Sequence, residues 1–265
     1  MTTGVKVEGT TLLEAVAEVA RLAGDVALAH FRSAIAVEWK SDGSPVTIAD
    51  REAERVAREW IERRFPDDGI LGEEQGEARP DAVRRWIVDP IDGTKTFVRG
   101  VPLWGTLVGI AEGTSIIAGA AYFPAVGELL AAARGQGCWW NGSPCRVSPV
   151  AVAAKATVLT TDERFRASIE RQDGWRRLAA SAAVSRTWGD CYGYLLVATG
   201  RAEVMVDERM NPWDAAALLP IITEAGGVFT DWSGATTAFG GSAIATNAAL
   251  ARDVRNTLGA GAPDA

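Results

Sequence analysis

The hexapeptide Asp89-Pro90-Ile91-Asp92-Gly93-Thr94 holds the residue types that could do chemistry together. The apolar run ahead of it, Arg85-Trp86-Ile87-Val88, reads as a buried strand that delivers Asp89 to a sheet edge. Pro90 then forces a turn, and Asp92 returns three residues later. Two carboxylates so placed can face one point, with the carbonyl of Ile91 between them. All of these donors are hard oxygens, which select Mg²⁺, Mn²⁺ or Ca²⁺ over zinc or copper. Gly93 and Thr94 open a short helix whose free N–H groups and positive dipole end suit a phosphate. One segment thus offers cation ligands and an anion cradle.

Taken alone, such a hexapeptide is also compatible with a solvated turn. Two further acidic element ends argue otherwise. Glu73 and Glu74 finish the strand-like run Gly69–Glu74, and Asp214 lies in the first turn of a helix opened by Pro212-Trp213. An acid at a helix start also answers the helix dipole, so Asp214 by itself says little. Three separated acidic ends are better explained by convergence on cations. Asp50, in Ser44-Pro45-Val46-Thr47-Ile48-Ala49-Asp50, reads by itself as a first-turn or N-cap acid.

Composition narrows the chemistry further. The chain has 265 residues, 48% hydrophobic and 23% charged, ordinary values for a globular protein with a large core. Its net charge of −7 comes with no basic tail or stripe, so the electrostatic footprint of a nucleic-acid binder is missing. The single histidine, His30, leaves no material for zinc sites built on two or three histidines or for an HExxH protease. A Ser-His-Asp triad would have to use His30, and no GxSxG elbow accompanies it. His30 ends an amphipathic run, where it reads as a cation at a helix C-terminus. Cys138, Cys145 and Cys191 show no CxxC pairing, which argues against structural zinc or a disulfide framework and for a reducing compartment. The first ten residues lack a signal-peptide pattern, and no apolar run approaches the ~18 residues of a membrane span. A cytoplasmic protein without membrane contact is expected.

The elements that must position these acids can be read in order. Apolar residues at helical spacing predict a helix over 11–32, with Thr10 or Thr11 as its cap and Glu14, three on from Thr11, completing a capping box. A short strand at Val37–Lys40, a turn, and a second helix from Thr47 to Arg64 follow. Residues 75–83 read as a polar linker. β-Favouring segments run from Leu103 to Arg134, and Asn141-Gly142 marks a hairpin. A boundary is expected at Ser148–Lys155, dividing the chain into halves at 1–150 and 151–265. Beyond it strands alternate with helices, predicted to about Gln172, over 190–199, 213–225 and 248–258, with a frayed tail at 259–265.

Glu73-bearing GEE, DPIDGT followed by Phe97, and PWDAAALLPIITEAGG together resemble the inositol monophosphatase family of Mg²⁺-dependent, lithium-sensitive phosphomonoesterases. The resemblance covers nearly the whole chain, with the motifs in order and suitably separated. It implies an α-β-α-β-α layered sandwich of the inositol monophosphatase/fructose bisphosphatase type, with the site between an N-terminal α+β half and a C-terminal α/β half. It implies two to three Mg²⁺ ions per subunit (Mn²⁺ being possible), held by Glu73, Asp89, the Ile91 carbonyl, Asp92 and Asp214, with Asp89 bridging two of them. Gly93 and Thr94 match the phosphate-binding positions. Asp50 and Thr94 match the pair that orients the attacking water, with Glu73 assisting. Direct in-line attack by metal-activated water and a homodimer are further implications.

The substrate segments depart from the inositol pattern. Lys95 to Trp104, and Arg186 to Asp207 with Gly189-Asp190-Cys191-Tyr192 inside it, resemble the histidinol-phosphatase branch of the same superfamily. Asp207 stands where the inositol branch usually has a glutamate. Histidinol phosphate carries an ammonium and an imidazole, with which Asp190 and Asp207 could pair. Gly189 and Lys95 are further substrate-binding candidates, and Arg99 is a second cation for phosphate. Trp104 and Trp188 could line an imidazole slot, though core packing is the simpler reading for either. Inositol 1-phosphate, a broader phosphatase or bisphosphate nucleotidase activity, and a metal-binding scaffold remain as alternatives.

Overall fold

The computed structural model describes residues 6–7, 10–41 and 43–262. The opening residues read for a leader, Asp42 of the predicted turn, and 263–265 of the expected tail lie outside the described residues, wholly or in part. A two-residue pairing of β1 (Lys6–Val7) with β2 (Thr10–Thr11) leads into α1 (Leu12–His30). The hairpin β3 (Val37–Trp39) and β4 (Pro45–Thr47) leads into α2 (Ile48–Arg64). Next come β5 (Gly69–Gly72), β6 (Gly76–Ala78), β7 (Arg84–Asp92), α3 (Thr94–Val98), β8 (Gly105–Glu112), β9 (Ser115–Phe123), β10 (Glu128–Ala133), β11 (Cys138–Trp140) and β12 (Ser143–Pro144). The remainder is β13 (Thr157–Thr160), α4 (Ile169–Ser181), β14 (Val184–Arg186), α5 (Asp190–Ala198), β15 (Val204–Asp207), α6 (Pro212–Ala216), α7 (Leu218–Glu224), β16 (Gly227–Thr230), β17 (Ala243–Asn247) and α8 (Ala251–Leu258).

Two sheets organise five layers. The first has eight strands in the order β12-β11-β10-β9-β8-β7-β5-β6, antiparallel except for the parallel β5/β7 pair. The second has five, β14-β13-β15-β17-β16, parallel at its β14-β13-β15 side. Helices α1 and α2 cover one face of the large sheet, α5, α6 and α7 fill the space between the sheets, and α4 and α8 cover the outside of the small one. Each gap holds its own apolar cluster, built for example on Val16, Ile61 and Trp86, on Leu107, Tyr194 and Ile221, and on Trp175, Val206 and Val254. The expected α-β-α-β-α sandwich is the architecture found.

Local sequence explains how the helices start. Thr11 and Glu14 exchange both bonds of a capping box, so α1 begins where the pattern said. Thr47 and Asp50 form a second box at α2. α1 stops two residues short of the expected end at 32, with His30 in its last turn as expected and its Nε2 2.8 Å from Glu52. Asn141 and Gly142 both take positive φ, 47° and 79°, as a tight hairpin turn requires.

Several boundaries differ from expectation. The linker at 75–83 contains β6, which adds an edge strand against β5. β5 stops at Gly72, leaving Glu73 and Glu74 in the turn. β7 continues past Asp89 to Asp92 through a bulge in its pairing with β8. The first helix of the second half lies at 169–181 rather than ending near Gln172. Phe165 anchors the preceding loop by stacking on Trp175, and Ser168 caps Arg171 N–H. Gly174 does not stop that helix; a Cβ there would meet the Leu258 carbonyl oxygen at 2.5 Å, so it lets α8 approach. The run at 213–225 is two helices, because Pro220 has no N–H to bond the Ala216 carbonyl four residues back and its ring crowds it. The described part of the tail, 259–262, is mostly exposed but hydrogen-bonded rather than frayed, with Gly261 N–H bonded to Trp232 O at 3.0 Å. Trp104 is fully buried against Phe31 and Phe97, so it belongs to the core and not to a substrate slot.

Candidate active site

The acids reach one another through three element ends. Strand β7 carries Asp89, and its bulge turns Asp92 back toward it. The Ile91 N–H donates to Asp89 Oδ1 at 3.0 Å, which fixes that turn from inside. The neighbouring parallel strand β5 ends beside Val88, whose carbonyl accepts the Glu73 N–H at 3.2 Å. That places the Glu73 carboxyl against Asp89. From the middle layer, α6 begins at Pro212 and offers Asp214. The glycines of the large sheet make this approach possible: a Cβ on Gly109 would lie 2.8 Å from Ala216 Cβ, and one on Gly119 would lie 2.4 Å from Ala217 O.

Asp89, Asp92 and Asp214 each present a carboxylate oxygen within 4.8 Å of the others. Burial, followed by the charges of Glu73, Asp92 and Asp214, pushes Asp89 far above the ordinary carboxylate range. Burial and the charges of Asp190 and Asp214 do the same to Asp92. Asp214 rises to about 6, again chiefly by burial. Carboxylates held this close in a poorly solvated place disfavour their own ionisation unless a cation compensates. An all-oxygen set of buried acids fits a hard divalent ion.

Glu73 is also held from outside. Lys40 Nζ donates to Glu73 Oε1 at 2.8 Å and to Glu74 Oε1 at 2.6 Å. Glu54, fully buried on α2, accepts the N–H groups of Glu74 and Gln75 at 2.7 and 3.0 Å and pairs with Arg58 at 2.7 Å. Arg58 in turn bonds the Gly76 carbonyl. Sequence reading missed Lys40, Glu54 and Arg58. The only local signal was a Glu-Arg pair at i,i+4 on α2, indistinguishable there from its solvated neighbours.

Asp50 sits below the turn. One carboxylate oxygen accepts both the N–H and the hydroxyl of Thr47, at 2.7 and 2.6 Å. The other is 3.5 Å from Thr94 Oγ1, which also donates to the Ile91 carbonyl at 3.0 Å. Burial raises the Asp50 pKa against these bonds. Gly93 caps α3 with φ 85°, and the carbonyl of Gly93 accepts the N–H groups of Thr96 and Phe97. The earlier N–H groups, those of Gly93 and Thr94, are the ones a helix start leaves free.

The second wall comes from α5 and β15. The Cys191 N–H donates to Asp92 Oδ2 at 2.5 Å. Asp190 Oδ2 accepts from Thr96 Oγ1 at 3.1 Å, and the Asp190 N–H donates to Thr161 Oγ1 at 2.8 Å. Gly189 backs onto Thr161, whose Cα would be 2.3 Å from an added Cβ. Asp207 is buried, accepting from Tyr194 Oη at 2.9 Å and from the Thr161 N–H at 3.2 Å; burial raises its pKa to about 7. Asp92, Asp190, Asp207 and Asp214 line a cleft of about 100 Å³ together with Cys191 and Met210. A wider cleft of about 530 Å³ adjoins it through Thr161, Asp207 and Arg209, and Lys95 lies on its wall. Arg99 and Trp188 line neither cleft, and Trp188 instead lies near the Arg186 guanidinium, 6.0 Å from its ring centre. No helix among the described residues is long and apolar enough to cross a membrane.

Residues 9–260 match the profile of the inositol monophosphatase family. A histidinol-phosphatase from Chlorobaculum parvum is 42% identical over 95% of this chain and 98% of its own length. A histidinol-phosphatase from Mycobacterium tuberculosis is 37% identical, covering 85% of this chain and 88% of its own. Among solved structures, the extragenic suppressor protein suhB from Bartonella henselae superposes with a TM-score of 0.87 at 28% identity, over 92% of this chain and 96% of that one.

Proposed function

Because the chain belongs to the inositol monophosphatase family and is therefore a phosphatase acting on phosphoric monoesters, we propose that it hydrolyses L-histidinol phosphate to L-histidinol and phosphate with Mg²⁺. The observation that carries this choice of substrate is the likeness, along almost the full length of both chains, to relatives named histidinol-phosphatase. The site supports it: past the acidic floor, the cleft is walled by Asp190 and Asp207, acids suited to a substrate with a cationic end.

Glu73, Asp89, the Ile91 carbonyl, Asp92 and Asp214 would hold two to three Mg²⁺ ions. When bound, such ions supply Lewis acidity to the phosphoryl and leaving oxygens and lower the pKa of water. The protein's own part is positional. The N–H groups of Gly93 and Thr94 cradle the phosphate at the start of α3. The Thr94 hydroxyl, backed by Asp50, accepts and orients the attacking water, with Glu73 assisting from the other side. Asp50 is itself fixed by Thr47, so the pair has little freedom to drift. Lys95 draws the anion toward the cleft, while Gly189 shapes and Asp190 and Asp207 charge the pocket for the ammonium and imidazole. We further read the protein as a cytoplasmic homodimer whose halves, 1–150 and 151–265, meet at this site.

Phosphate release with Mg²⁺ from L-histidinol phosphate, inositol 1-phosphate and an adenosine bisphosphate, at matched concentrations, tests the reading. The expected result is a kcat/KM preference for histidinol phosphate of about a hundredfold or more, ~2.7 kcal/mol of differential transition-state binding. Equal rates on all three would make the enzyme a broad monoesterase, and no turnover on any would leave a metal-binding scaffold.

A further inference from the structure

Two of the three thiols face each other far from the phosphatase site. Strands β11 and β12 form a hairpin in which Trp139 opposes Pro144 and Trp140 opposes Ser143. The same register sets Cys138 opposite Cys145, and the Cys145 N–H donates to the Cys138 carbonyl at 3.0 Å. Directly opposed residues that share such a bond have Cα atoms about 5.5 Å apart, inside the range a disulfide spans. The side chains use that proximity: the sulfurs are 3.4 Å apart, and both residues are free thiols. A covalent S–S bond of about 2.05 Å needs only a small further approach.

From this geometry we propose that Cys138 and Cys145 are a dithiol that closes to a disulfide by exchange with a low-molecular-weight disulfide, Cys145 reacting first. Cys145 is half-buried, whereas Cys138 is sealed beneath the hairpin. The contact with Cys138 holds the Cys145 thiol below its ordinary pKa against the effect of burial, and the charge of Arg201 adds to this. The same contact and burial push Cys138 up. The more accessible sulfur is thus also the readier thiolate, as exchange chemistry requires. The Cys145 thiolate attacks one sulfur of the small disulfide, forming a mixed disulfide and releasing one thiolate. Cys138 then gives up its proton and attacks Cys145 Sγ, expelling the second thiolate. Two protein thiols and one small disulfide become one protein disulfide and two small thiols. Cys191, buried beside Asp92 on another element, has no sulfur partner among the described residues and stays outside the exchange.

The test treats the reduced full-length protein with glutathione disulfide and reads intact mass and peptide maps. The expected product has lost the mass of two hydrogens, contains a Cys138–Cys145 linked peptide, retains free Cys191, and reverts with dithiothreitol. Cys138→Ser should instead accumulate a glutathione adduct on Cys145, because no second thiol resolves it. Cys145→Ser should leave Cys138 unreacted. The proposal is overturned if the wild-type protein keeps both thiols free, if it carries a stable glutathione adduct without the cross-link, or if Cys191 enters the bond. The wild-type map decides the matter even should a variant fold poorly.

Discussion

Asp92 Oδ2 accepts the backbone N–H of Cys191 at 2.5 Å, a bond that joins the last residue of a strand in the large sheet to the first turn of α5, 99 positions further along the chain. An acid of the cleft's acidic floor is thereby aimed by the same helix that presents Asp190 to the cleft. The floor and the Asp190 wall are therefore one mechanical unit.

Asp92→Asn removes a charge from that floor while keeping its shape. Turnover should fall on the order of a hundredfold or more, as expected for loss of a group that stabilises transition-state charge. Thermal melting in chelator should be unchanged or higher than in the parent, since one mutually repelling acid has gone. Near-normal phosphate release would sink the assignment of Asp92 to the cation site.

Asp190→Ala should alter which ester is preferred more than it alters the Mg²⁺ concentration needed. A loss of about tenfold in kcat/KM for histidinol phosphate, with inositol 1-phosphate little affected, corresponds to ~1.4 kcal/mol. Equal losses on both esters would show that Asp190 acts only by supporting Thr96 and the turn below it.

Gly93→Ala sets a side chain where φ is 85° and where its Cβ would lie 3.0 Å from Asp190 Oδ2. Left-handed backbone costs an L-residue about 1–2 kcal/mol. Denaturant unfolding should show a loss of at least that size, and activity should fall with it because α3 and the Asp190 wall move together. A fully stable variant would contradict the local geometry.

Asp207 gives a pH dependence whose sign follows from burial. Its folded pKa of about 7 lies above the ordinary 3.8, so over that interval the unfolded chain binds fewer protons than the native one. Its contribution to stability is therefore greatest at low pH, declines as pH rises from about 4 to about 7, and stays low above that. Asp207→Asn should flatten this component in chelator-treated protein, and the variant should gain on the parent above pH 7. Urea unfolding at several pH values measures the difference; parallel curves for the two proteins would disprove it.

Adding Mg²⁺ to chelator-treated protein should raise the melting temperature, because an ion bound only by the folded state stabilises it by an amount that grows with the logarithm of one plus the ratio of free ion to its Kd. The rise should be much smaller in Asp89→Asn. An equal rise in both would place the cation elsewhere.

Where local rules set the structure, the sequence was a sufficient guide. The capping box at Thr11, the Asn141-Gly142 hairpin and the acids at the ends of β5, β7 and α6 all follow from short-range spacing. What escaped depends on contacts between distant segments. Glu54 bonds a turn twenty residues away, Lys40 reaches Glu73 thirty-three residues on, and the Asp92–Cys191 bond ties the large sheet to a helix of the middle layer. The local pattern ends a helix near Gln172, yet that helix runs on through Gly174 because α8 fits against it. The break before Pro220 lies inside what the apolar pattern reads as one helix.

Asp50 and Asp214 each hold the start of their own helix, accepting the N–H of Thr47 and of Asn211, while the same carboxylates face Thr94 and Asp89. A saturation screen that scores only cellular abundance would therefore flag these two positions as intolerant, although the same residues are candidates for chemistry. Asp92 also holds the first turn of a helix, α5, through the Cys191 N–H, but Asn keeps an acceptor there, so Asp92→Asn should pass such a screen and fail only when turnover is scored. Comparing the two scores position by position would separate acids whose charge the fold needs from those whose charge serves the reaction alone.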